Sequence, residues 1–132
     1  MFGALEFLGK VTRRRVVAFV ISDFLDSGYH DRLRIAAKRH DVTAVSVADP
    51  REAELPRIGI LELEDAETGE LLLVDTRDRN VTDGFRILAR DDRQELRDLL
   101  RSAGAGQIQI WTHEPYVDAL VRFFRARERR RR

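Results

Sequence analysis

The sequence predicts an α/β fold, a largely parallel sheet with flanking helices and one inserted β-hairpin. Three observations carry this. Two apolar runs, Val16–Ile21 and Val42–Val47, are rich in β-branched residues and show no strict alternation; such runs read as strands buried on both faces of a parallel sheet. A segment with helical spacing lies between them, which makes a strand–helix–strand unit. Residues 58–75 then alternate apolar and charged positions around Thr68-Gly69, the pattern of an antiparallel hairpin.

Each element has a local reason. Residues 2–9 place Phe2, Leu5 and Leu8 at helical spacing, and Thr12 to Arg15 follow as a basic connector. The first strand ends at Ser22-Asp23. Asp26-Ser27-Gly28 offers turn and N-cap chemistry for a helix from Tyr29 to His40, with Tyr29, Leu33, Ala36 and Ala37 on one face. The second strand ends at Asp49-Pro50. In the hairpin, Ile58–Leu63 and Leu71–Val74 flank Ala66-Glu67-Thr68-Gly69, where Gly69 suits a left-handed position and the pair attaches to the parallel sheet. Asp78 can cap a helix from about residue 80 to 103, with Val81, Phe85, Leu88, Leu96, Leu99 and Leu100 as its apolar positions, and Gly104 stops it. Gln107–Thr112 is the last strand. Pro115 opens the last helix at its first position, with Val117, Leu120, Val121 and Phe124 inward.

Composition narrows the function classes. The 132 residues suit a single α/β domain over 1–124, with 125–132 as a basic tail. There is no cysteine, which removes disulfides, thiol nucleophiles and thiolate metal sites. His30, His40 and His113 are too scattered for a structural zinc site. No apolar run approaches the roughly 20 residues of a membrane helix, and the N-terminus lacks a signal-peptide pattern, so a cytoplasmic setting is expected. Residues 122–132 hold seven Arg and one Glu, net +6, which leaves −5 on the rest of the chain. A duplex-binding domain carries a basic face on its folded body. Nucleic acid or another anionic partner is therefore expected only through the Arg tail. That tail extends the last helix with no apolar stripe past Phe124, and is expected to fray.

Ligands of open parallel sheets bind at the carboxyl ends of the strands. Three such ends are polar here: Ser22-Asp23, Asp49 and Thr112-His113. Asp23 and Asp49 can ligate a hard cation such as Mg²⁺; the alternative is that Ser22, Asp23 and Asp49 cap turns and helices. His113 reads as an exposed loop or capping residue, with a catalytic base as its alternative. The Gly-x-Ser-x-Gly elbow and the phosphate-binding Gly-x-x-x-x-Gly-Lys loop are absent, and Gly104-x-Gly106 precedes a strand instead of following one. The hairpin carboxylates Glu62, Glu64, Asp65, Glu67 and Glu70 lack calcium-loop spacing and read as a solvated face. No nucleophile–base pairing is visible.

Five motifs occur in order: Val20-Ile21-Ser22-Asp23-Phe24 after the Arg-rich connector, Arg39-His40-Asp41-Val42, Asp49-Pro50-Arg51-Glu52-x-Glu54-Leu55-Pro56, Asp65-x-Glu67-Thr68-Gly69-Glu70, and Glu114-Pro115-Tyr116 followed by Phe123-Phe124. Together they resemble the C-terminal part of the bacterial family named domain of unknown function 58, itself similar to the von Willebrand factor A domain. The resemblance covers about residues 4–127. It implies half of an A-domain, starting in the helix before the fourth strand, with the fourth strand at Val16–Ile21. It also implies a metal-ion-dependent adhesion site to which this chain contributes Asp23 alone, because the Asp-x-Ser-x-Ser loop is absent. Genes of the family commonly lie beside MoxR-type AAA+ ATPases, which implies such a partner.

Three functions follow as expectations. The first is a non-catalytic protein-interaction module, with no cofactor of its own and Mg²⁺ only if a partner half completes the site. The second is a metal-dependent hydrolase using Asp23 and Asp49. The third is anionic-partner binding through the Arg tail. The first is preferred. With the first A-domain strand missing, Val16–Ile21 has an open side without charge or proline, so a homodimer or a partner strand is expected there; the alternative is that residues 2–9 fold back and cover it.

Overall fold

The computed structural model describes residues 2–65 and 68–131. The elements are α1 (Phe2–Val11), β1 (Val17–Ser22), α2 (His30–Arg39), β2 (Asp41–Ala48), a 3₁₀ turn (Pro50–Glu52), β3 (Ile60–Glu64), β4 (Leu71–Asp75), α3 (Arg79–Ser102), β5 (Gly106–Trp111) and α4 (Tyr116–Arg131). They group into two compact units, residues 1–49 with 94–132, and residues 50–93. None of the helices is long and apolar enough to cross a membrane, among the described residues.

The first unit holds the expected parallel sheet, in the order β1-β2-β5. Val17 pairs with Asp41 and Ser22 with Ser46, while Thr43 pairs with Gly106 and Ala48 with Trp111. The β-branched run at the centre of this sheet is buried almost throughout, as a strand covered on both faces must be. One face carries the core: Ala18, Val20, Val42 and Ala44 pack under Leu5 of α1, Leu33 and Ala36 of α2, and Leu100 of α3. The α2 face over Leu33 and Ala36 is the one its spacing predicts.

On the opposite face, α4 packs against β5. Here the expected inward set is corrected. Val117, Val121 and Phe124 are exposed, and Phe123 takes the inward place. The reason is a notch in β5. Gly106 has no Cβ, and a methyl there would sit 3.2 Å from the Phe123 ring and 3.2 Å from the Thr43 hydroxyl. The ring fills that space and sets the rotation of α4. Past residue 124 the helix is still tied down, because Arg127 pairs with Asp41 and its guanidinium lies 5.9 Å from the Phe123 ring centre. This corrects the expectation of a fraying tail at Arg127.

A second correction concerns β1. It is not buried on both faces: Ala18, Val20 and Ser22 turn inward, while Val17 (61%) and Ile21 (70%) lie exposed. β1 is the outer strand, bonded on one side to β2, so its outward face has half of the cover that β2 enjoys.

The second unit holds β3 and β4 as a separate two-stranded antiparallel sheet, Ile60 opposite Asp75 and Glu64 opposite Leu71. The hairpin is thus not attached to the parallel sheet, which corrects that expectation; β3 and β4 pair only with each other among the described residues. Asp65 builds the turn by accepting the Thr68 N–H on its side chain (2.9 Å) and the Gly69 N–H on its carbonyl (2.7 Å). Gly69 has φ +71°, the left-handed conformation glycine tolerates; Ala66 and Glu67 lie outside the described residues. Thr76 is fully buried and clasps the base of the hairpin. Its hydroxyl accepts the N–H groups of Ile58 (3.1 Å) and Gly59 (3.0 Å) and donates to the Gly59 carbonyl (2.7 Å).

Helix ends confirm some local chemistry and correct the rest. Asp78 caps α3 by accepting the Asn80 N–H at 2.8 Å, and Gly104, with φ +79°, ends it. At α2 the N-cap is Tyr29, which makes no side-chain capping hydrogen bond. Along α3, Leu88 is exposed instead of buried.

Candidate functional site

The sequence-predicted site lies at the carboxyl ends of β1, β2 and β5. At β1, the chain turns sharply. Phe24 adopts φ +59°, a conformation that costs a non-glycine residue energy and needs local support. The support is visible: the Phe24 N–H donates to the Ser22 hydroxyl at 3.1 Å, and the Leu25 N–H donates to a carboxylate oxygen of Asp23 at 3.3 Å. The Ser22 hydroxyl donates to that same oxygen at 3.3 Å. The Phe24 ring goes into the core, edge-on to Tyr29 at 5.6 Å, while Asp23 stays in solvent. Burial raises the Tyr29 phenol above its ordinary range, and the nearby Asp26 charge adds to this.

At β2 and β5, Asp49 accepts a hydrogen bond from the Thr112 hydroxyl at 3.3 Å, next to the Thr112 N–H bonded to the Ala48 carbonyl. His113 is exposed, 3.5 Å from Glu114, and its ring lies edge-on to Trp111 at 6.3 Å. The structure therefore joins Ser22 to Asp23, and Asp49 to Thr112, as two separate pairs. The register explains the gap: Ser22 is level with Ser46, so Asp49 lies two residues, about 7 Å, further along the strand direction than Asp23. Among the described residues, no three His, Asp or Glu side chains gather as a metal site. Mg²⁺ takes about six oxygens. Asp23 offers one carboxylate, which also accepts the Leu25 N–H of its own turn.

One pairing escaped the sequence. His30 Nε2 lies 3.0 Å from the Ser102 hydroxyl, across 72 residues, with Asp31 4.0 Å from Nδ1. The three residue types suggest a hydrolytic triad, but the protons run the wrong way. Ser102 donates its only hydroxyl hydrogen to the Leu99 carbonyl at 2.8 Å. His30 must therefore donate to Ser102, so it is not placed to take the serine proton. Asp31 is beyond hydrogen-bond range and pairs instead with Arg34 at 3.4 Å. The third histidine, His40, is buried, and neither ring nitrogen hydrogen-bonds to a described residue.

An apolar opening of the first unit lies elsewhere, along the free side of β1. Phe7, Leu8 and Val11 of α1 and Phe19, Val20 and Ile21 of β1 line a groove of about 630 Å³. α1 covers the core beside β1 through Leu5, while Phe7 and Val11 stay exposed on the groove wall. The β1 backbone on this side has no neighbouring strand among the described residues. The family resemblance implied an open edge; the contribution of α1 to it depends on a helix-to-strand placement that spacing alone does not give.

A family model described as protein of unknown function DUF58 matches residues 1–95. An uncharacterized protein of Mycobacterium avium, MAV169, is 38% identical over 127 residues, 96% of this chain and 75% of that protein. Uncharacterized proteins of Mycobacterium bovis (Mb1516) and Mycobacterium tuberculosis (Rv1480) are each 35% identical over 127 residues. The chain spans 40% of the length of these two. No solved structure matches the chain.

Proposed function

The chain belongs to the DUF58 family, and from that membership we propose that it is a non-catalytic protein-interaction module working through the free edge of β1. The single observation that carries the reading is that edge: an apolar outer strand with Val17 and Ile21 exposed, beside an apolar groove. Natural edges are blunted by charge, proline or a bulge. Between Val17 and Ser22 there is none, and Arg13–Arg15 guard one end alone. A strand added there gains main-chain hydrogen bonds and covers the apolar groove. Its source is a second copy related by a two-fold axis, or a partner chain. The parallel order β1-β2-β5 supports reading the unit as part of a von Willebrand factor A-like domain, whose fourth strand would stand where β1 does. On that reading the module is cytoplasmic, works with a MoxR-type AAA+ ATPase, and holds Mg²⁺ at Asp23 only when partner loops add ligands. The hydrolase reading of Asp23 and Asp49 is disfavoured by their separate pairings.

Light scattering at micromolar concentration tests the proposal. The expected mass exceeds 15.3 kDa, and Ile21→Lys lowers it. A wild-type monomer whose mass and solubility Ile21→Lys leaves unchanged would overturn it.

A further inference from the structure

We infer that the β3–β4 hairpin of one copy docks on α4 of a second copy. The inference starts from an exposed apolar ribbon. Ile60, Leu71, Leu72 and Leu73 are each more than three-fifths exposed. A two-stranded sheet alone in water is marginally stable at best, and this one leaves Leu71, Leu72 and Leu73 open. Residues 60–75 also carry six carboxylates and no basic residue. On one face the pairing makes a checkerboard: Ile60 lies opposite Asp75, Glu62 opposite Leu73, and Glu64 opposite Leu71. Glu62, Glu64 and Glu70 form no ion pair with any described residue.

The complementary surface lies on the same chain. Residues 122–132 carry a net +6. Arg122, Arg125 and Arg129 share one stripe of α4 at i, i+3 and i+7, and they too form no ion pair with any described residue. Val117 and Val121 lie exposed along the flank of that stripe. The lengths agree. Four residue steps of ribbon span about 14 Å, and Val117 to Arg129 spans about 18 Å of helix. An acidic, apolar ribbon thus meets a basic, apolar helix of similar reach. The contact joins two different patches, so two copies can close it reciprocally as a dimer, and otherwise it propagates. It shares no named residue with the β1 groove and does not depend on the proposal made for that edge.

A charge swap tests it on the full chain by sedimentation. One variant carries Glu62→Lys, Glu64→Lys and Glu70→Lys; the other carries Arg122→Glu, Arg125→Glu and Arg129→Glu. In the wild type, association should weaken about tenfold between about 0.1 M and about 0.5 M salt, where the screening length roughly halves. Each variant alone should lose this salt-sensitive association, because its two surfaces now repel. An equimolar mixture should regain it, because each variant's surfaces complement the other's; this also shows that both are folded. Ile21→Lys should leave the salt-sensitive part intact, which separates this contact from the β1 edge. The inference is overturned if either variant alone associates like the wild type, if the mixture does not regain the salt-sensitive association, or if the wild type shows no concentration-dependent, salt-sensitive association.

Discussion

Replacing Thr76 by Val should loosen the hairpin unit through two backbone groups. Valine has nearly the same shape, so the buried volume is kept and the hydroxyl alone is lost. That hydroxyl accepts the N–H groups of Ile58 at 3.1 Å and Gly59 at 3.0 Å. The Gly59 carbonyl is not orphaned, since the Thr76 N–H still reaches it at 2.9 Å. A buried N–H left without an acceptor costs about 1–3 kcal/mol. The Gly59 group is buried and bears the full cost, while the Ile58 group is part-buried and recovers some of it from water. The expected total is about 2–4 kcal/mol. Thr76→Ser keeps the hydroxyl and removes one methyl, for about 1 kcal/mol. Chemical denaturation followed by circular dichroism gives both values, and native-state hydrogen exchange at Ile58 and Gly59 gives the local effect. If valine costs less than serine, and these two amides keep their protection, the clasp does not hold the hairpin base.

Two further predictions concern single contacts. Gly106→Val should cost about 1–3 kcal/mol by thermal or denaturant unfolding, because its side chain overpacks the Phe123 ring and Thr43; Phe123→Leu in the same chain should restore part of the loss, and an additive double variant would contradict the notch. Asp75 is held below the usual carboxylate range by the Arg77 N–H and then by the Arg77 side chain. Its small contribution is therefore present above the ordinary carboxylate range and lost as pH falls through the lowered value. Arg77→Met should shift the Asp75 titration upward in an NMR pH series, and an unmoved titration would show that the backbone bond alone sets it.

Local chemistry was the legible part of the fold. The β-branched runs, the Asp78 cap, the Gly69 turn and the Gly104 stop each act within a few residues, so the chain states them directly. What stayed hidden depends on distant partners. An apolar strand has the same sequence whether covered on both faces or open on one, so the exposure of Val17 and Ile21 follows from strand order. The choice of Phe123 over Phe124 as the inward ring is made by Gly106, seventeen positions earlier. For the site, the polar residues at the strand ends were legible. Their hydrogen bonds were not: Asp23 serves its own turn and Asp49 reaches Thr112 on another strand. The His30–Ser102 pair, 72 residues apart, leaves no local trace, and its proton direction is set by the Leu99 carbonyl.

The central claim, that β1 is an edge built to receive another strand, is tested most directly by hydrogen exchange along Val17–Ser22. Half of these amides bond β2 in a parallel pair, and the other half point to the free side. In the associated protein the outward amides should exchange as slowly as the inward ones, and dilution below the association range, or Ile21→Lys, should return them to fast exchange. Outward amides that exchange rapidly at every concentration, in a protein whose mass shows it associated, would contradict it.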